Sequence, residues 1–248
     1  MAKKEINRDR RAKVAAMQAQ QKAAERRRLW TVIGASAIVV LLIAGAVTWA
    51  VLGERKKEQA ALGSIAADVQ AASCDPVTTD KAEESGQHIG PGTDKPQETK
   101  VKYSTVPPSS GAHLASPALS DRRVYTTADA PAIEALVHNL EHGYTILWYD
   151  RSVEKQQSAA FEALAKKVNA LPESAGKFII APWDPSYGAF PEGKKYALSH
   201  WSADVDVQTR KVSNTRGNRQ LCGGLSSAVV EDFVKQHPWS SAPEPGAA

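Results

Sequence analysis

Positions 29–52 (LWTVIGASAIVVLLIAGAVTWAVL) carry no charged side chain in 24 residues. As a helix rising about 1.5 Å per residue this run spans about 36 Å, enough to cross a hydrocarbon layer of about 30 Å with some tilt. Trp30 and Trp49 fall near its two ends, where amphipathic rings settle at the headgroups. Residues 53–73 then read as a polar-faced helical stalk. Residues 75–101 are loop-like, with a short strand expected around TKVKYS, and VPPSSGAHLASPALSDRR is broken up by Pro107, Pro108, Gly111 and Pro117. From there the periodicity becomes regular. DAPAIEALVHNLEHG predicts a helix with Asp129 as cap, Pro131 in the first turn and Gly143 past the end. YTILWYD, KFIIAPW and YALSHWSADVDV read as strands. VEKQQSAAFEALAKKVNAL places Phe161, Leu164, Val168 and Leu171 at helical spacing, and LSSAVVEDFVKQH is a last helix stopped by Pro238. The expected fold class is α/β (or α+β): a small mixed sheet with packed helices, preceded by one transmembrane helix. The expected organisation is a cytoplasmic tail (1–28), the span (29–52), a juxtamembrane stalk (53–73), an extracytoplasmic domain (74–238) and a flexible tail (239–248).

Charge gives the span a direction. Residues 1–28 hold ten Lys/Arg against three acids, so this tail carries +7 of a chain whose total is +4, and the remainder is −3. The positive-inside bias places the N-terminus in the cytoplasm and residues 53–248 outside the plasma membrane. Ala44-Gly45-Ala46 has the small-x-small look of a signal-peptide cleavage site. A 28-residue basic region and an apolar run longer than the usual 7–15 favour an uncleaved anchor. The tail's partner is the anionic lipid surface, at about 1 kcal/mol per basic residue. An outer part of net −3 offers no basic face for nucleic acid, and no protein partner is legible. Both cysteines, Cys74 and Cys222, fall on the outer side, where two thiols make one bridge. Closing a loop of 148 residues is worth about 4–5 kcal/mol on a chain-entropy model.

The candidate chemistry lies in LVHNLEHGY. On a helical wheel Ile133, Leu136, Val137 and Leu140 form the core-facing arc, and Glu134, His138, Glu141 and His142 form another. His138 and His142, at i and i+4, project from the same side and can share one ion. Glu134 and Glu141 are placed to orient the ring N–H groups as outer partners. The same H-x-x-E-H spacing occurs in inverted zinc peptidases, where the Glu is general base, so Glu141 is the catalytic candidate if the protein is a hydrolase. The plain alternative is a helix end favourable to imidazoles, which also covers His237 before Pro238. No phosphate loop, nucleophile elbow or dinucleotide fingerprint is present.

YSTVPPSSGAH followed by VHNLEHG and an apolar strand resembles the membrane-anchored domain-of-unknown-function family number three-one-zero-five, common in actinobacteria. Its relatives characteristically show Pro-Pro-x-Ser-Gly-x-His, His-x-Leu-Glu-His-Gly and a histidine further upstream. These correspond here to Pro107, Pro108, Ser110, Gly111 and His113; to His138, Leu140, Glu141, His142 and Gly143; and to His88. The resemblance covers residues 85–235 and brings no established activity with it. It implies that His113 joins His138 and His142 in a metal site with His88 as a fourth ligand. Relatives often have Ala-Trp-Gly where this chain has His200-Trp201-Ser202, so His200 is either an added ligand or a strand residue. The outer residues contain no methionine and their cysteines pair, which removes the soft ligands for Cu(I). Imidazole with carboxylate suits Zn(II) or Cu(II). The function expected is therefore divalent-metal binding outside the membrane, with a zinc-dependent hydrolase or a non-catalytic envelope interaction module as alternatives.

Overall fold

The computed structural model describes residues 2–66, 68–83, 86–119, 121–206 and 208–246, with the side chains of 2–9 and 12 excepted. The expected tail charges at positions 3, 4, 5, 8 and 9 therefore lie outside the described side chains. The chain divides into two compact units, residues 1–57 and 58–248.

The residues expected to form the tail, the span and the first part of the stalk lie in one uninterrupted helix, α1 (Ala2–Gly63). Its Ala, Gln, Lys, Arg and Leu content is strongly helix-forming and it contains no proline. Every side chain from 29 to 52 is exposed, including Leu41, Leu42 and Trp49. The helix is long and apolar enough to cross a membrane, and a signal sequence has the same length and composition.

In the second unit, apolar strands buried on both faces form the centre of a five-stranded sheet, one edge strand of which is exposed. Its strands are β1 (Thr78–Lys81), β4 (Thr145–Tyr149), β5 (Phe178–Pro182), β6 (Tyr196–Val205) and β7 (Val212–Cys222), in the order β1-β7-β6-β4-β5. β4 and β5 are parallel and the other neighbours antiparallel. Successive residues face opposite sides. Leu147, Tyr149, Phe178 and Ile180 pack with α3 (Glu154–Asn169) and α4 (Ser227–Gln236) on one face. Ile146, Trp148, Ile179 and Ala181 pack with α2 (Ile133–Glu141) on the other. The mixed α/β architecture expected from the sequence is the one observed. Trp148, Trp183 and Trp201 are buried as core.

Several local expectations are corrected. The stalk does not run free to residue 73: Ile65 and Ala66 pack on the core, Ala66 N donates to Leu225 O at 2.8 Å, and Ala72 is fully buried. No strand forms at TKVKYS; there the backbone N–H of Val101 is satisfied by the Glu134 carboxylate at 2.8 Å instead of by a neighbouring strand. Asp129 does not cap α2. It accepts from Thr126 N at 2.7 Å in the preceding loop, and Ala132 takes the cap position without a side-chain bond. Neither β1 nor β7 is among the expected strands: β1 is exposed and polar throughout, and β7 begins exposed and carries no apolar alternation. Residues 239–246, expected to be a loose tail, are docked: Trp239 N donates to Glu173 O and Glu244 N to Glu141 O, at 2.9 and 3.0 Å. Gly143 permits this, with φ +91° and a position where an added Cβ would lie 2.5 Å from Trp239 O. Residues 247 and 248 of the expected tail lie outside the described residues. Cys74 and Cys222 form the expected disulfide, joining the entry of the domain to the end of β7.

Candidate metal centre

A helix of nine residues with polar groups on half its circumference would ordinarily leave them in water. In α2 they are buried. Glu134 is 0 % exposed, His138 4 % and Glu141 2 %, and His142, just past the helix, is 7 %. Three segments close over that arc: residues 86–89, the loop ending at His113, and the C-terminal segment. Within them β2 (His88–Ile89) and β3 (His113–Leu114) form a two-residue parallel pair in which His88 lies opposite His113. The short pairing thus places two imidazoles side by side, and α2 supplies the rest.

The rings of His113 and His138 are 4.8 Å apart between centroids, those of His88 and His113 4.7 Å, and those of His88 and His138 5.2 Å. Ligand-capable atoms of His88, His113, His138 and Glu141 all lie within 4.8 Å of one another, so this group could hold a metal ion. His142 is set beside it, its Nε2 3.0 Å from His138 Nε2.

Backbone carbonyls fix which nitrogens face inward. His113 Nδ1 lies 2.8 Å from Gly111 O and His138 Nδ1 2.5 Å from Leu114 O. A carbonyl only accepts, so each ring donates from Nδ1 and turns its Nε2 to the cluster. This is the outer-partner arrangement typical of metal-bound histidine. Glu141 is anchored by one oxygen, Oε1, which accepts from Gly86 N at 3.1 Å. Its other oxygen, Oε2, is 3.0 Å from His113 Nε2. Both atoms are buried and neither has a hydrogen-bond partner. Burial drives the His138 pKa down to about 4, the Leu114 carbonyl opposing and the imidazoles of His113, His142 and His88 reinforcing the fall. It is therefore neutral at pH 7, the form that binds metal. Burial favours the neutral form of Glu141, but contact with His113 and the proximity of His88 and His138 outweigh it and hold the carboxyl below its ordinary range.

The structure brings together His88, His113, His138 and His142, and it revises the two carboxylates. Glu141 is a member of the donor group rather than an outer partner. Glu134 is not at the site: its oxygens accept from Tyr187 OH at 2.9 and 2.8 Å and from Val101 N, holding the 99–104 segment to α2. His200 lies outside the cluster as well, with Nδ1 3.1 Å from Thr145 Oγ1, Nε2 3.2 Å from Ser241 Oγ, and its ring stacked on His237. Of its two readings the strand residue is the one observed. Glu244, which no periodicity singles out, reaches His142 Nε2 at 3.6 Å.

The fold and the cluster together define a mixed α/β domain with a buried imidazole–carboxylate group, preceded by one long apolar helix. The chain belongs to the family described as Protein of unknown function (DUF3105), whose model matches residues 94–248. His113, His138, Glu141, His142 and Glu244 lie inside the matched stretch and His88 just before it. No curated protein and no solved structure matches the chain.

Proposed function

We propose that the protein is a single-pass plasma-membrane protein whose domain faces outward and binds a divalent ion, Zn(II), through His88, His113, His138 and Glu141. The observation that carries this is the buried pair of His113 Nε2 and Glu141 Oε2, 3.0 Å apart and each without a hydrogen-bond partner, beside the imidazoles of His88 and His138. A buried acceptor left unpaired costs about 1–3 kcal/mol, and a cation between the two removes both penalties at once. Tetrahedral ligation at about 2.0–2.1 Å needs donors about 3.4 Å apart, so the most separated donors of the 4.8 Å group close by up to about 1.4 Å on binding. Three imidazoles with one carboxylate suit Zn(II), with Cu(II) the nearest competitor. The disulfide agrees with an oxidising compartment, and the basic residues of 1–28 agree with a cytoplasmic N-terminus.

Binding is favoured over hydrolysis by the position of Glu141. With Glu141 as fourth donor the coordination is filled by protein, whereas the hydrolase reading needs that carboxylate free as a base and a ligand position left for water. The test is elemental analysis of the full chain purified in detergent and loaded with equimolar Zn(II) and Cu(II) in competition. Retention of Zn(II) that is lost in His113→Ala and in His138→Ala supports the reading. A folded wild-type chain that retains neither metal overturns it.

A further inference from the structure

Glu141 belongs to two groups of metal-capable side chains. The first is the one described above. In the second, ligand-capable atoms of Glu141, His142 and Glu244 also lie within 4.8 Å of one another. His142 and Glu141 are both buried, and Oε2 of Glu141 is the acceptor that has no hydrogen-bond partner. Glu244 arrives there by main-chain anchoring. Its N–H donates to Glu141 O at 3.0 Å, and Lys177 Nζ binds both His142 O and Pro245 O, at 2.8 and 2.9 Å. Its carboxylate stops 3.6 Å from His142 Nε2, longer than a hydrogen bond, and is half-exposed. A carboxylate held at that range beside a buried imidazole and a buried, unpartnered carboxylate oxygen leaves room for a cation.

We propose that the centre is dinuclear, with a second divalent cation bound by His142 and Glu244 and bridged to the first through Glu141. The proposal rests on the reading of the first site. Carboxylate-bridged pairs of ions sit about 3.5–4 Å apart, a spacing compatible with two donor groups that share one side chain. The two sites differ in chemistry. The first offers three imidazoles, with only His88 partly exposed; the second offers one imidazole and two carboxylates, a harder set that also accepts Mn(II), and it opens to solvent through Glu244. Three protein donors leave the second ion positions for water or for an anionic oxygen ligand. The C-terminal segment is then part of the centre.

The test is metal stoichiometry on the full-length chain in detergent, stripped with EDTA and titrated with ZnCl2 by calorimetry, with ions counted by native mass spectrometry. The wild type is expected to bind two equivalents. Glu244→Ala and His142→Ala are each expected to bind one, with the remaining affinity changed less than tenfold, whereas His113→Ala loses the tighter equivalent. One equivalent in the wild type, or two retained in both Glu244→Ala and His142→Ala, overturns the second site and leaves the first standing. No bound zinc in the wild type overturns the proposed function itself.

Discussion

Replacing Glu141 by Gln should make the metal-free domain more stable and the metal-bound one less so. In the wild type, Glu141 Oε2 and His113 Nε2 are buried 3.0 Å apart, each without a hydrogen-bond partner. Gln keeps Oε1 on the Gly86 N–H and turns the facing oxygen into an NH2, which donates to His113 Nε2. Satisfying such a pair recovers about 1–3 kcal/mol. The bond to Gly86 loses its charge assistance, which takes back about 1 kcal/mol. The net gain is up to about 2 kcal/mol. For a domain of this size each kcal/mol shifts Tm by about 2–4 °C, so the variant should melt up to about 8 °C higher in EDTA at pH 8. With zinc at a hundred times the wild-type Kd the order reverses. The wild type gains about 2.7 kcal/mol from linkage and the variant, lacking the carboxylate donor, much less. Tryptophan fluorescence of the full chain during heating reads both arms, since Trp148, Trp183 and Trp201 are all buried in the domain. The reasoning fails if Glu141→Gln melts well below the wild type in EDTA. That result would mean His113 is an imidazolium paired with the carboxylate, because breaking a buried ion pair costs about 3–5 kcal/mol.

Three further outcomes are expected. His200 is fully buried and its pKa is pushed down to about 3, by burial first and then by His237, against the opposing Tyr144 backbone. Its native pKa lies below the unfolded value of about 6.5, so its contribution is whole above pH 6.5 and is lost as pH falls toward 3; at pH 5 the loss is about 2 kcal/mol. His200→Gln should remove about that much of the stability difference between pH 8 and pH 5 in urea titrations, and an unchanged difference counts against it. Replacing Cys74 and Cys222 by Ser opens a loop of 148 residues and should lower unfolding stability by up to about 5 kcal/mol, read as a drop in urea midpoint; an unmoved midpoint refutes the estimate. Gly143→Ala sets a Cβ against Trp239 O in a left-handed conformation, which should cost about 1–3 kcal/mol and expose residues 239–246 to limited proteolysis; equal cleavage of variant and wild type would contradict the docking.

The strands and helices that carry an apolar period were legible from the chain, and those without one were not. β4, β5, β6, α3 and α4 announce themselves because each buries a face. β1 presents four exposed residues at the sheet edge and β7 begins exposed, so neither leaves an apolar trace. The site divides in the same way. His138 and His142 follow from helical spacing, but His113 and His88 could be linked to them only through a family resemblance, because a two-residue parallel pairing has no period to detect. The helical wheel also misled on the carboxylates. It records azimuth and discards height, and Glu134 and Glu141 share an azimuth while standing about 10 Å apart along the axis. One therefore reaches Tyr187 and the other reaches His113. Glu244 is brought in by main-chain bonds in a Pro-flanked segment, which no side-chain pattern encodes.

The division of labour within α2 explains how a domain can keep an unsatisfied polar cluster and still fold. Ile133, Leu136, Val137 and Leu140 anchor the helix in the same core as Trp148 and Trp201, and they do so whatever the polar side holds. The opposite face of the sheet has a separate core under α3 and α4, with the disulfide at its edge. Two cores and a covalent closure stabilise the fold without help from a metal, unlike small zinc-dependent domains that are unfolded when apo. The cluster is then a local penalty of a few kcal/mol carried by a scaffold that tolerates it. Two of its donors, His88 and His113, lie on a strand pair only two residues long, joined to the rest by irregular chain. Those donors can make the adjustment of up to about 1.4 Å that ligation requires while α2 stays fixed, so selectivity for the ion rests on the rigid side of the site and adjustment on the other.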